Sequence, residues 1–320
     1  MQMQLFSVDE ETTNLREQRA RFQQSCFARA TELGYGYDWR MFQAWCNERQ
    51  RNPLPASPES LAFYLTALLT AGHKVTTVRR RQCAIAHHHR ILGYPSPVTE
   101  DVRRLISGAT RQRCERPRQM RPLTIDQLRD IVGALTQVGT IKAIRDRAIM
   151  LIGFFSALRR SNLAELIMTD LEFSPKGLVI EVRKEKQDQT GRGRLIGIPP
   201  GKHELTCPLR ALRCWLERRG PEPGPVFTRL DRARKGSEMP MDGECVERIV
   251  KRSVAAIGLD PRDRYGAHSL RAGFVTAAGE AGATDLLIAA QTGHRSPYVL
   301  RRYFRRSDVF KSNACTVLDL

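Results

Sequence analysis

The run Ala148–Phe155 (AIMLIGFF) is apolar on nearly every face a helix would present. Such a helix must be wrapped by other elements on all sides, so it marks the centre of a core. It falls far short of the roughly 18 apolar residues that suggest a membrane span, and no other stretch of the chain approaches that length. Immediately afterwards the chain reads Ala157-Leu158-Arg159-Arg160-Ser161-Asn162-Leu163. An arginine at the exit of a buried helix is costly unless it is paired or faces a site. The chain is thus expected to fold around a helix whose end carries cations.

The flanking segments are predominantly helical. Leu61, Leu65, Leu68 and Leu69 form an amphipathic face, bounded by the turn-prone PLPASP and AGHK. Thr76-Thr77-Val78-Arg79-Arg80-Arg81 opens a further helix, which reads equally as a solvated face or as a basic end entering a DNA groove. Later, Thr124 and Gln127 have the spacing of a capping box, with Leu123 and Leu128 placed to staple across it. Two strand-like runs, Leu178–Arg183 and Leu195–Ile198, flank KEKQDQTGRGR and predict a hairpin with a long basic tip. Helices are expected from Pro208, over Val246–Ile257, and in three short pieces to the end. No period of 20 to 50 residues repeats.

Residues 108–122, GATRQRCERPRQMRP, hold five arginines and two prolines without apolar periodicity. They predict a break between a helical domain at 1–110, a basic linker at 111–121 and a second domain at 122–320, mostly α with one small antiparallel sheet. A solvated linker and one that crosses a phosphate backbone are compatible readings.

The chain has 320 residues, and its 52 Lys+Arg against 34 Asp+Glu leave a formal charge of +18. That excess points to a polyanionic partner, most simply nucleic acid, and the preponderance of arginine suits phosphate oxygens. The polar, acidic start MQMQLFSVDEETTNLREQ has neither secretory nor transit character. The eight scattered cysteines contain no CxxC pair and read as reduced intracellular thiols. The tract His87-His88-His89 has no acidic or Cys cluster at ligand spacing, so a helical stretch is favoured over a metal site.

Four separated places carry chemistry. They are Arg159 in ALRRSNL, the pair His268 and Arg271 at i and i+3, His294 in TGHRS, and Tyr303 on a short helix that Ser296 caps and Pro297 begins. Taken singly, each has an ordinary structural role. An HxxR is usually a surface pair, a GH sits at many helix ends, and Tyr303 shares a face with Val299 and Leu300. Tyr298 is a second tyrosine by type, but it falls in the first turn after Pro297.

In joint order and spacing, HSLRAGFVTAAGEAGATDLLIAAQTGHRSPYVLRRYF resembles the H-x-x-R…G-H…Y signature of the tyrosine recombinase (phage integrase) family, which includes the Cre and Xer recombinases. ALRRSNL resembles the motif of the family's first arginine, which gives that role to Arg159. The tip KEKQDQTGRGR resembles the hairpin of its catalytic lysine, best matched by Lys186 and less well by Lys184. FQAWCNERQRNPLPASPESLAFYL and TTVRRR are similar, more loosely, to its helical core-binding domain.

The resemblance implies a mainly α, two-domain DNA clamp with an α+β catalytic domain. Arg159, Lys186, His268, Arg271, His294 and Tyr303 would be its catalytic residues. DNA contacts are expected from Arg79, Arg80, Arg81, Arg111, Arg113, Arg118 and Arg295. Two arginines clamp the non-bridging oxygens of the phosphodiester through bonds that strengthen as charge develops. Tyr303 would attack phosphorus to give a 3′-phosphotyrosyl bond while Lys186 protonates the departing 5′ oxygen. Neither metal, cofactor nor ATP is implied. The expected partner is double-stranded DNA with paired recombination sites, bound by a homotetramer that is a monomer or weak dimer in solution. The expected location is cytoplasmic and DNA-associated, with no membrane partner. Val309, Phe310, Val317 and Leu318 in the tail would pack on their own domain or dock on a neighbouring protomer. The chain departs from the family at Asn162, where many members carry an acid. Two other activities remain open at this point: type IB topoisomerase-like relaxation and DNA binding without catalysis.

Overall fold

The computed structural model describes residues 12–15, 18, 29–115, 119–183, 193–230, 236–294 and 296. The chain divides into two compact units, Met1–Pro117 and Arg118–Leu320.

In the first unit four helices, α1 (Arg29–Glu48), α2 (Pro58–Thr70), α3 (Val75–Ile91) and α4 (Glu100–Arg113), enclose their own core. Ser57 starts α2 by accepting the Ser60 amide at 3.1 Å, and Pro58 fits the first turn because its missing N–H is not needed there. Leu61, Tyr64, Leu65 and Leu68 then fall on one buried face against Phe42, Val78 and Ile85. The histidine tract packs within this unit. His88 stacks on Trp39 at 4.9 Å, and buried His89 accepts the Ala56 amide at 2.9 Å through Nε2.

Two expectations for this unit change. Arg81 is 7% exposed; its Nη1 donates to the Tyr64 hydroxyl at 3.0 Å and its Nε lies 3.7 Å from the carboxylate of fully buried Asp38. Its charge is committed to the core, because a buried carboxylate requires cations beside it. Arg80 spans both oxygens of Asp38, at 3.1 and 3.0 Å, leaving Arg79 and Arg111 as the more open members of the group. Burial nonetheless holds the Asp38 carboxyl above its ordinary range despite Arg80 and Arg81. The linker also begins later than expected, since residues 111–113 form the last turn of α4. There Arg113 donates to the carbonyls of Leu69, in the last turn of α2, and of His73 just beyond it.

The second unit is built around α6 (Ile141–Ser156), in which residues 148–152 are wholly inaccessible to solvent. Thr140 caps α6, and Thr124 and Gln127 form the expected reciprocal box at the start of α5 (Ile125–Val138), at 3.2 and 3.1 Å. Helix α7 (Arg160–Glu165) follows, then the antiparallel sheet β1 (Leu171–Ser174), β2 (Gly177–Val182) and β3 (Arg194–Ile198). The β2–β3 register pairs Ile180 with Ile196 and Val182 with Arg194, so Leu178, Ile180, Val182, Ile196 and Ile198 all face the core. Helix α8 (Pro208–Arg219) packs on α6 through Trp215, whose Nε1 donates to the Val226 carbonyl at 2.8 Å. A second sheet, β4 (Thr228–Leu230) with β5 (Gly236–Pro240), adds to the single one expected, its strands being too short to show alternation. Helices α9 (Gly243–Ala256), α10 (Ala267–Glu280) and α11 (Asp285–Thr292) complete the described residues. Helix α10 comes unusually close to the segment before α5, because a Cβ on Gly273 would strike the Leu123 carbonyl and the Phe154 ring.

Candidate active site

The site begins where α6 ends. The Ser156 hydroxyl donates to Ile152 O at 2.6 Å and accepts the Leu158 amide at 3.3 Å, pinning the turn. Ala157 then takes the left-handed conformation, φ 50° and ψ 27°, which reverses the chain and turns its carbonyl inward. Arg159 stands half-buried in extended conformation at the head of α7.

Helix α10 supplies the facing wall. Ser269 closes its first turn by accepting the Gly266 amide at 3.2 Å, while Glu247 of α9 accepts the Ala267 amide at 2.7 Å. His268 keeps an exposed edge, but Arg271, one turn on, is 1% exposed. A guanidinium buried so deeply needs its donors engaged. Its Nη1 donates to Ala157 O at 2.7 Å, and its Nη2 donates to His294 Nε2 at 3.1 Å.

His294 arrives by a third route. Helix α11, capped by Thr284, ends at Gly293 in the left-handed region, φ 70° and ψ 28°. Glycine enters that region without a Cβ penalty. The reversal brings His294 back over the last turn, where its Nδ1 lies 2.7 Å from Thr292 Oγ1. The end of α11 is stitched to the rest of the unit. Arg194 of β3 donates to Gln291 O at 2.8 Å, and Gln291 donates to Phe155 O at 2.8 Å.

Arg159, His268, Arg271 and His294, separated by up to 135 positions, therefore share one electrostatic neighbourhood. Desolvation is the main cause that lowers the His268 pKa, followed by the Arg271 and Arg159 charges, with Glu247 opposing. The same causes in the same order, joined by His268 and Arg194, push His294 down to about 3. Both rings are neutral at pH 7, so the cluster's charge resides on its arginines. Such a cluster is suited to a tetrahedral oxyanion: planar donors to clamp it, and two imidazoles able to exchange protons beside it.

Lys184, Lys186, Arg118, Arg295, Tyr298, Tyr303 and the tail after it lie outside the described residues. Arg183, the last described residue after β2, is anchored, its Nε lying 2.8 Å from Asp170. Asn162, half-buried on α7, lines a recess with Glu165, Asp170, Glu181 and Arg183. The residues missed from sequence are those that hold the others: the Ala157 carbonyl, Arg194, Gln291 and Thr292. Thr292 alone left a signal, as a hydroxyl two residues before a histidine.

Residues 121–309 match the family model described as "Phage integrase family". The chain is 33% identical over 288 residues to an integrase/recombinase XerD homolog of Selenomonas ruminantium, covering 89% of this chain and 84% of that protein. It is 29% identical over 296 residues to a tyrosine recombinase of Synechococcus elongatus, covering 85% and 83%. Among solved structures it is similar to the Tn1549 transposon integrase in complex with a circular intermediate DNA, with a TM-score of 0.63 at 16% identity over 96% of this chain and 98% of that one. It is also similar to the XerH site-specific recombinase bound to a palindromic difH substrate, with a TM-score of 0.60 at 17% identity over 82% and 73%. At these identities the structural likeness establishes the fold.

Proposed function

The chain belongs to the phage integrase family and is a tyrosine recombinase, and from that premise we propose that it breaks and rejoins duplex DNA through a 3′-phosphotyrosyl bond to Tyr303 and a Holliday junction. The observation that carries the reading is the convergence of Arg159, His268, Arg271 and His294 from three separate stretches of chain on one cationic cluster.

A phosphodiester resists attack because it is an anion. Arg159 and Arg271 neutralise its non-bridging oxygens, most strongly in the pentavalent transition state. Arg271 is already held by Ala157, so its remaining edge is pre-oriented and little reorganisation is needed when the phosphate arrives. His268, with its exposed edge, exchanges a proton with the tyrosine or the phosphate in this reading. Tyr303 gives up its phenolic proton to His268 and attacks phosphorus, the bond from phosphorus to the 5′ oxygen breaks, and Lys186 supplies the proton with which that oxygen leaves as a 5′-hydroxyl. Reversal by a 5′-hydroxyl of the partner strand rejoins the backbone without ATP.

The first unit serves as a DNA-binding domain in this reading, with Arg79 and Arg111 on its accessible surface as phosphate contacts. Four copies assemble on paired sites, an assembly checked by the mass of the synaptic complex. Among the described residues no helix is long and apolar enough to cross a membrane.

The test is incubation with nicked suicide duplexes from the native genomic neighbourhood, in EDTA. A denaturation-resistant protein–DNA adduct that disappears in Tyr303→Phe is expected. Duplex binding with no adduct on the cognate site would instead establish the non-catalytic alternative. Adducts on any sequence, with plasmid relaxation by a monomer, would favour a topoisomerase.

A further inference from the structure

Thr292 is fully buried at the end of α11, and its hydroxyl makes two contacts. Oγ1 lies 2.6 Å from Ile288 O, one helical turn back, and 2.7 Å from His294 Nδ1. A hydroxyl has one proton and lone pairs to spare. A carbonyl only accepts, so the Thr292 proton goes to Ile288 O and Oγ1 faces the imidazole as an acceptor. Nδ1 must then carry the ring's hydrogen. Arg271 Nη2, which only donates, lies 3.1 Å from Nε2 and 3.5 Å from Nδ1; with the hydrogen on Nδ1 turned to Thr292, the lone pair left to face the guanidinium is that of Nε2.

We infer that Thr292 is a positioning residue that fixes both the orientation and the tautomer of His294, with the hydrogen on Nδ1 and the lone pair of Nε2 beside Arg271. The inference rests on the reading of His294 as part of the phosphate site. An apolar side chain at 292 would remove the buried acceptor and leave the ring free to flip or exchange tautomers.

The arrangement has a chemical consequence. A neutral ring presenting a lone pair at Nε2 cannot donate to a phosphate oxygen until it has gained a proton there. The charged groups acting on it, Arg271, Arg159 and Arg194 with His268, all oppose protonation in the free protein. A phosphate seated between the two site arginines offsets that field.

The test uses the full chain labelled with ¹⁵N-histidine and free of DNA, the His294 signal being identified by its loss in His294→Gln. Long-range ¹H–¹⁵N spectra are expected to show protonated Nδ1 and bare Nε2 in the wild type and in Thr292→Ser. They are expected to show the other tautomer, or an averaged mixture, in Thr292→Val. A bare Nδ1 in the wild type overturns the inference, as does an unchanged tautomer in Thr292→Val. In the suicide-substrate assay Thr292→Val should cleave about tenfold more slowly, the loss of one buried hydrogen bond, with a displaced pH–rate profile that Thr292→Ser restores. Equal cleavage by wild type and Thr292→Val would refute the positioning role even if the tautomer changed. A wild type that never cleaves would sink the recombinase mechanism, while the DNA-free spectra would still decide the tautomer.

Discussion

Replacing His294 with asparagine should make the second unit less sensitive to acid. In the folded chain the ring titrates at about 3, against an ordinary value of 6.5, because desolvation and the Arg271 and Arg159 charges disfavour the imidazolium. Above pH 6.5 the ring is neutral whether the chain is folded or not, and it contributes nothing to pH dependence. Below 6.5 the unfolded chain takes up a proton that the folded chain refuses, so stability is lost progressively until the pH approaches 3. At pH 5 the full shift would cost RT ln(1 + 10^1.5), or about 2 kcal/mol, and screening at a half-buried site reduces this to about 1. Asparagine does not titrate there, so wild type and His294→Asn should converge by about 1–2 kcal/mol between pH 7.5 and pH 5. Urea unfolding of the whole chain, read by hydrogen exchange at the amides of α6 and α10, isolates the second unit. His268, whose pKa is also lowered, is present in both proteins, so its share cancels. Parallel stability–pH curves for the two proteins would refute the argument that the arginines keep this ring neutral.

Two further outcomes follow from packing. Gly273→Ala should destabilise the second unit by about 1–3 kcal/mol in urea melts, because the new methyl meets the Leu123 carbonyl; a gain in stability, as helix propensity alone would give, would disprove the close approach. Arg81→Met should destabilise the first unit by roughly 3 kcal/mol, by removing one of the two cations beside buried Asp38. It should leave the salt dependence of DNA binding unchanged, whereas Arg111→Ala should reduce the log–log salt slope by about 1; the reverse pattern in filter binding would exchange the two roles.

Much of this molecule was legible in its sequence, for identifiable reasons. The centre of the second unit was visible because AIMLIGFF has no polar face to turn to water, and the start of α5 because Thr124 and Gln127 signal through local spacing. The grouping of Arg159, His268, Arg271 and His294 was legible from motif order and spacing, because their types and intervals in this chain resemble a known signature. Arg81 shows the limit. Three consecutive arginines look alike in a sequence, but a helix places them 100° apart, so one faces the core and another faces solvent. The carboxylate that draws Arg81 inward, Asp38, is 43 positions away and carries no mark of its burial. Strands β1, β4 and β5 were missed for a similar reason: three to five residues are too few to establish a period of two.

Arg271 is held in place by the main-chain oxygen of residue 157, an atom that all twenty amino acids possess. No substitution at that position can delete the acceptor. What the position must supply is a torsion, the left-handed turn that aims the oxygen inward, and glycine, asparagine or alanine can supply it at modest cost where valine or isoleucine cannot. Substitution at residue 157 is therefore filtered by shape rather than by chemical identity. A buried guanidinium can keep its anchor through a long history of replacements beneath it.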